Sequence, residues 1–108
     1  MAVTKLGVPA IRYRQALPFA RYIDARAFAA ATAENWVVPA NVDYVIFSST
    51  VPFYFNIDAT ATVPIDTSDG SASGYVASSA EGIVESGKTF SLLPTGAGVI
   101  TIYCYNLN

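Results

Sequence analysis

From Asn35 onward the chain is built from short runs of β-branched and aromatic residues, separated by Pro, Asn, Ser and Asp. The clearest runs read VDYVIFSS, PFYFNID and GVITIYCYN, and weaker ones are ATATVPI and the stretches at 82–85 and 89–93. Strands of this length, spaced by turn residues, are typical of antiparallel sandwiches and barrels. The pattern therefore predicts an all-β fold, an antiparallel β-sandwich of jelly-roll or Greek-key type.

Alternation within these runs assigns side chains to faces. In GVITIYCYN, Ile100, Ile102 and Cys104 share one face. In PFYFNID, Phe53 and Phe55 point away from the more polar side of the strand, which predicts one buried and one wet face. We therefore expect Cys104 to be a small, buried hydrophobic residue within a strand.

The apolar residues of 1–30 do not recur with the period of a helix or a strand, and Pro9 and Pro18 would interrupt any helix. The stretch ARAFAAATA at 25–33 has the propensity for a short helix but could equally be extended. Residues 1–30 contain five basic residues and one acidic residue, a net charge of +4, whereas residues 31–108 contain one and seven, a net charge of −6. We therefore predict a basic, mostly irregular N-terminal arm over 1–30 and an acidic β-sandwich domain over 31–108.

The composition bounds the kind of surface that this chain presents. Of its 108 residues, 53% are apolar and only 13% are charged, about half the usual charged fraction of ~25%. So few charges predict that some apolar surface meets a partner. No apolar run reaches the length of a membrane-spanning helix. The N-terminus lacks a continuous apolar signal region, which predicts synthesis in the cytoplasm.

The chain contains no histidine and one cysteine, Cys104. Ser-His-Asp and Cys-His catalysis are therefore excluded within one chain, as is a zinc site of the usual ligands. Neither common spacing of a glycine-rich phosphate loop is present. We accordingly predict no enzymatic activity and no cofactor.

Residues 64–75, PIDTSDGSASGY, concentrate carboxylates, hydroxyls and glycines. Asp66, Asp69 and Gly70 could belong to a calcium loop, an acid/base pair or a turn. The EF-hand spacing fails because no Glu follows at the required distance, and carboxylates in a solvated loop keep ordinary pKa values. A structural turn is favoured, in which Asp and Ser side chains bond their own backbone and glycine supplies a positive φ.

Two parts of the sequence resemble small virion structural proteins of tailed bacteriophages. They are residues 30–73, AATAENWVVPANVDYVIFSSTVPFYFNIDATATVPIDTSDGSAS, and the closing GVITIYCYN. That group has, in order, an alanine–threonine lead-in, a V-x-V-P-A strand end, a V-x-F-S-x-T strand, an aromatic F-Y-x strand, A-x-V-P and a D-G-S-A-S turn. At the second motif this chain has WVVPA. Residues 75–88 and the arm lie outside the resemblance. It implies a virion component and, less directly, a capsid decoration or cement protein on the capsid surface, with the major capsid protein as its partner.

We expect a homo-oligomer, a trimer if it occupies the threefold positions of a capsid. Arginine and tyrosine are enriched at protein interfaces, so the arm is expected to contact acidic capsid surface or a neighbouring subunit. The residues that we assign to this contact are Arg12, Tyr13, Arg14, Arg21, Tyr22 and Arg26. Direct nucleic-acid binding is not expected, because the acidic body would repel a polyanion.

Two other functions fit the same residues. One is a tail, neck or fibre-anchoring virion subunit. The other is a carbohydrate-binding module, which would need several aromatic side chains on one exposed face for stacking on sugar rings. The candidates for that face are Trp36, Tyr44, Tyr54, Tyr75, Tyr103 and Tyr105.

Overall fold

A computed structural model describes residues 3–5, 18–64 and 73–107. These ranges contain nine strands and no helix. In chain order the strands are β1 (Thr4–Lys5), β2 (Tyr22–Phe28), β3 (Glu34–Val37), β4 (Tyr44–Ser49), β5 (Phe53–Ile57), β6 (Gly74–Val76), β7 (Ser79–Ile83), β8 (Thr89–Pro94) and β9 (Gly98–Asn106).

The strands form two packed sheets, which confirms the predicted β-sandwich. The first sheet has the order β2-β9-β4-β7, and the second has the order β3-β8-β5-β6. All these pairs are antiparallel, and β1 adds a short parallel pairing beyond β2 on the same edge of β9. Successive strands from β2 to β5 and from β6 to β9 therefore alternate between sheets in the order of a jelly roll.

The core lies between the sheets, and strand alternation determines which side chains enter it. Ile100, Ile102 and Cys104 of β9 are fully buried, as predicted. Phe53 of β5 is buried from the second sheet, and Trp36 of β3 packs edge-on against a first-sheet phenylalanine, with ring centroids 6.1 Å apart. Such aromatic burial is a large part of what stabilises a domain of this size.

The predicted strand at ATATVPI is wrong for the part that the structure describes, since residues 59–64 belong to no strand. The backbone N–H of Ala61 donates to Ser91 Oγ at 2.9 Å, and that of Thr62 donates to Ser73 Oγ at 3.0 Å. Side chains therefore satisfy donors that a sheet ladder would otherwise use. The weak strand expected at 82–85 lies earlier, at Ser79–Ile83.

The segment predicted as an irregular arm contains a seven-residue strand, β2, so the sandwich includes residues before position 31. Its alternation was hidden because Asp24 and Arg26 occupy two of the positions that face the second sheet, between Tyr22 and Phe28. Of the two alternatives for 25–33, a short helix or an extended chain, the extended one is confirmed as far as Phe28. Pairing with β9 along Tyr22–Phe28 outweighs the helix propensity of the alanines.

Candidate interaction surface

The solvent side of the first sheet is a nearly charge-free surface. We call it the first-sheet outer face, and along β2, β9, β4 and β7 it consists of Ile23, Ala25, Ala27, Tyr44, Ile46, Ser48, Ser79, Glu81, Ile83, Val99, Thr101, Tyr103 and Tyr105. Glu81 is the only charged residue among these positions. Since ordinary soluble surfaces carry many more charges, this face has the composition of a contact surface.

Cross-strand register arranges the apolar side chains in rows. Ile23 pairs with Tyr103, which pairs with Ile46. Tyr105 pairs with Tyr44 in the neighbouring row, and their rings lie 6.1 Å apart. Directly opposed residues share a face and touch, so the rows form one continuous apolar patch.

Glu81, the one carboxylate on this face, is hydrogen-bonded to a tyrosine of the same face. Tyr44 donates its hydroxyl to Glu81 Oε2 at 2.7 Å. Burial of the ring, and then the hydrogen bond and charge of Glu81, raise the pKa of Tyr44 to about 12. The phenol therefore stays protonated as a donor, and Glu81 has a partner within the sheet.

One end of the face is covered by the chain that leads into β2. Tyr105 donates its hydroxyl to the carbonyl oxygen of Pro18 at 2.7 Å, and Ala20 is buried beside the ring. Between these two anchors, the Phe19 side chain is 99% exposed. A fully exposed phenylalanine on an anchored segment is a strong candidate for a contact with another molecule.

The outer face of the second sheet is partly covered by the chain after β5. Ala61 lies over this sheet with its N–H bonded to the buried Ser91, and Asp58 makes a backbone hydrogen bond to Thr89. Beyond this segment, Tyr54 and Tyr75 form a tilted pair with centroids 5.3 Å apart. The chain after β5 therefore covers part of this face, and the tyrosine pair lies outside the covered part.

Three of the arm residues predicted to bind a partner lie within the described ranges. Arg21 is exposed, whereas Tyr22 packs against the core. Arg26 donates to Asp24 Oδ2 at 3.3 Å and to the carbonyl oxygen of Asn35 at 3.5 Å. A role for these three in binding a partner stays a prediction, and for Tyr22 and Arg26 it would have to coexist with these contacts.

Other predicted features fall outside the described residues. They are the arm residues Arg12, Tyr13 and Arg14, and the carboxylates and glycine at Asp66, Asp69 and Gly70. Within the described ranges, no three His, Cys, Asp or Glu residues are grouped so that they could hold a metal ion. Those ranges also contain no helix long and apolar enough to cross a membrane.

The six aromatic residues considered for sugar stacking do not share a face. Trp36 is buried in the core. The other five divide between the two outer faces, with Tyr44, Tyr103 and Tyr105 on the first sheet and Tyr54 and Tyr75 on the second. Stacking on a sugar would therefore depend on two or three rings at most.

An apolar cleft, which the sequence did not predict, opens between the sheets where β7 faces β5. It has a volume of about 160 Å³ and is lined by Phe47, Phe55 and Phe90, with Ile57 and Ile83 among the more exposed lining residues. The cleft exists because β6 is only three residues long and pairs only with Phe53–Phe55, which leaves the end of β5 uncovered.

Gly82 widens this opening. It pairs with the buried Val45, so its missing side chain would point into the cleft, and a Cβ added there would meet no atom within 4 Å. Glycine within a strand often marks the close approach of another group. That glycine was the one sequence signal that could have indicated the cleft.

Comparison with known proteins gives no relative. No protein-family model matches the chain, and neither a curated protein nor a solved structure is significantly similar to it.

Proposed function

We propose that this protein is a virion structural protein, a capsid decoration or cement protein that binds the assembled shell and stabilises it. The observation that carries the proposal is the first-sheet outer face, which joins a continuous apolar patch to a near absence of charge. The resemblance of residues 30–73 and 98–106 to phage virion proteins supplies the class of partner.

A joint role for the arm and the first-sheet outer face is supported by the described residues on either side of 6–17. β1 pairs with the end of β9 at Tyr105 and Asn106, and Pro18 lies against Tyr105. Chain on both sides of residues 6–17 therefore meets the sheet at one end of the patch. A basic arm that begins beside an apolar face can add charge contacts to acidic capsid surface while the face is buried.

The mechanism is stabilisation by mass action. A protein that binds the assembled shell, but not free capsid subunits, shifts the equilibrium toward the shell. In an oligomer, the second and third contacts with the shell are intramolecular. The oligomer therefore remains bound longer than a single copy would.

The test is co-sedimentation of the purified protein with assembled shells and, separately, with unassembled capsid protein. Wild-type protein is expected to pellet with shells and to raise the temperature at which they open. Ile23→Glu places a charge within the first-sheet outer face and should weaken shell binding at least about tenfold, because the charge would be buried unpaired.

Val37→Glu is the matched control. Both side chains are exposed aliphatics on edge strands, 43% for Ile23 and 54% for Val37, but Val37 lies on the outer face of the second sheet. It should bind shells like wild type. Equal loss in both variants would contradict the assignment of the face, and failure of wild-type protein to bind shells would contradict the proposed function. Binding to tails or necks instead would favour the alternative virion role.

A further inference from the structure

We propose that copies of this protein associate head to tail, with the Phe19 ring of one copy inserted into the cleft between β7 and β5 of the next. This inference deepens the oligomer expected of a decoration protein, but it concerns purified protein and needs no shell.

The inserting group is anchored on both sides. The carbonyl oxygen of Pro18 accepts the Tyr105 hydroxyl at 2.7 Å, and Ala20 is buried against the same ring. Phe19 between them is 99% exposed. Since its neighbours are already fixed, docking its ring costs little further ordering of the backbone.

The receiving cleft matches a phenyl ring in size and chemistry. Its volume of about 160 Å³ is close to that of an engineered apolar cavity of ~150 Å³ that holds benzene. Three phenylalanines line it, and Gly82 leaves its entrance open. Glu81 is the charged residue among its lining, and its carboxylate already accepts the Tyr44 hydroxyl.

The positions of the two parts determine the kind of assembly. Phe19 follows Pro18, which is bonded to Tyr105 of β9, whereas the cleft opens between the sheets at β7, the opposite edge of the first sheet. The ring and cleft are thus different surfaces of one protomer, so the contact is heterologous. Such contacts close into rings when the rotation between copies permits, as a trimer on a threefold position would require.

The experiment measures the mass of purified full-length protein by sedimentation velocity and native mass spectrometry. Phe19→Ala removes the ring and Gly82→Val fills the entrance, and each should weaken association roughly 10- to 100-fold. Gly96→Ala is the matched control, because a Cβ there also meets nothing within 4 Å but lies away from the cleft. It should assemble like wild type.

Mixing the two variants gives the sharper test. Phe19→Ala retains an open cleft, and Gly82→Val retains its ring, so one productive contact remains between unlike chains. At a concentration where each variant alone is mostly monomeric, the mixture should form a one-to-one heterodimer that grows no further. Circular dichroism and urea unfolding of each variant confirm that the loss of mass is not a loss of fold.

Three outcomes would overturn the inference: wild-type protein that is monomeric throughout the concentration series, assembly that survives Phe19→Ala, or folded variants that fail to complement each other. Assembly through Phe19 without any binding to shells would leave this inference standing and contradict the proposed function. Shell binding by wild-type protein that is monomeric throughout the concentration series would do the reverse.

Discussion

The indole N–H of Trp36 donates to Asp24 Oδ2 at 3.0 Å, joining β3 of one sheet to β2 of the other. Asp24 also accepts from Arg26 through both carboxylate oxygens, at 3.4 and 3.3 Å. Trp36 is almost fully buried, so its N–H depends on this partner. Asp24 thereby closes one edge of the sandwich with a polar link between the sheets.

Asp24→Ala should lower the free energy of unfolding by about 1–3 kcal/mol, because it leaves a buried donor without an acceptor. Urea denaturation gives the value. In a Trp36→Phe background, which has no donor, the same substitution should cost much less. Arg26→Met should cost under about 1 kcal/mol, since the ion pair is partly exposed. Equal costs of Asp24→Ala in both backgrounds would contradict the role of the indole bond.

The Cys104 thiol should be inert in the folded protein. Burial, and then the charge of Asp24, raise its pKa from 9.0 to about 12. At pH 8 a thiol-reactive chromogenic disulfide should label it only after unfolding in urea. Rapid labelling of native protein would show that the strand opens or that the thiol is accessible.

The raised pKa of Cys104 also predicts the direction in which the free energy of unfolding changes at alkaline pH. The folded state holds the Cys104 proton more tightly than the unfolded state, so this contribution is complete below pH 9 and is lost as the pH rises toward 12. The free energy of unfolding of wild-type protein should therefore fall with pH in this window. Cys104→Ala should fall less steeply, and parallel curves would refute the linkage.

Glu81→Gln should lower the pKa of Tyr44 from about 12, but not to 10.0, because burial is the larger cause of the shift. An ultraviolet difference titration against the same variant carrying Tyr44→Phe isolates this tyrosine from the other six. Glu85→Gln, a nearby exposed carboxylate, should leave the titration unchanged. A Tyr44 pKa unaffected by Glu81→Gln would contradict the hydrogen bond on the outer face.

Gly98→Ala should destabilise the protein by about 1–3 kcal/mol. A Cβ at this position would lie 2.6 Å from Val51 Cγ2 and 2.8 Å from Thr50 Oγ1. Gly96→Ala, two residues earlier in open space, should be neutral or slightly stabilising. Thermal unfolding of the two variants makes the comparison, and equal melting temperatures would contradict the close approach of residues 50 and 51 to β9.

The sequence predicted the sandwich because most strands bury one apolar row, as β9 does with Ile100, Ile102 and Cys104. The prediction failed where polar side chains take the inward positions of a strand, and where a run of apolar residues forms no strand pairing. β2 was missed because Asp24 and Arg26 take inward positions and satisfy each other and Trp36. ATATVPI looked like a strand, yet Ala61 bonds to the Ser91 side chain.

The candidate surface needed the topology. Ile23, Tyr103 and Ile46 lie in three separate segments, and only the β2-β9-β4 order brings them into one row. The cleft likewise follows from the shortness of β6, which no local pattern indicates. Arg21 and Tyr22 could be proposed as interface residues because arginine and tyrosine are common at interfaces. Which of them is exposed depends on β2, and the sequence pattern did not predict that strand.

Cryo-electron microscopy of a virus particle that carries this protein, purified from its source, tests the proposed function most directly. We expect density for several copies on the outside of the shell at threefold positions, with the first-sheet outer face toward the capsid protein. Density confined to the tail or neck, or failure to purify any particle that carries the protein, would contradict the assignment as a capsid decoration protein.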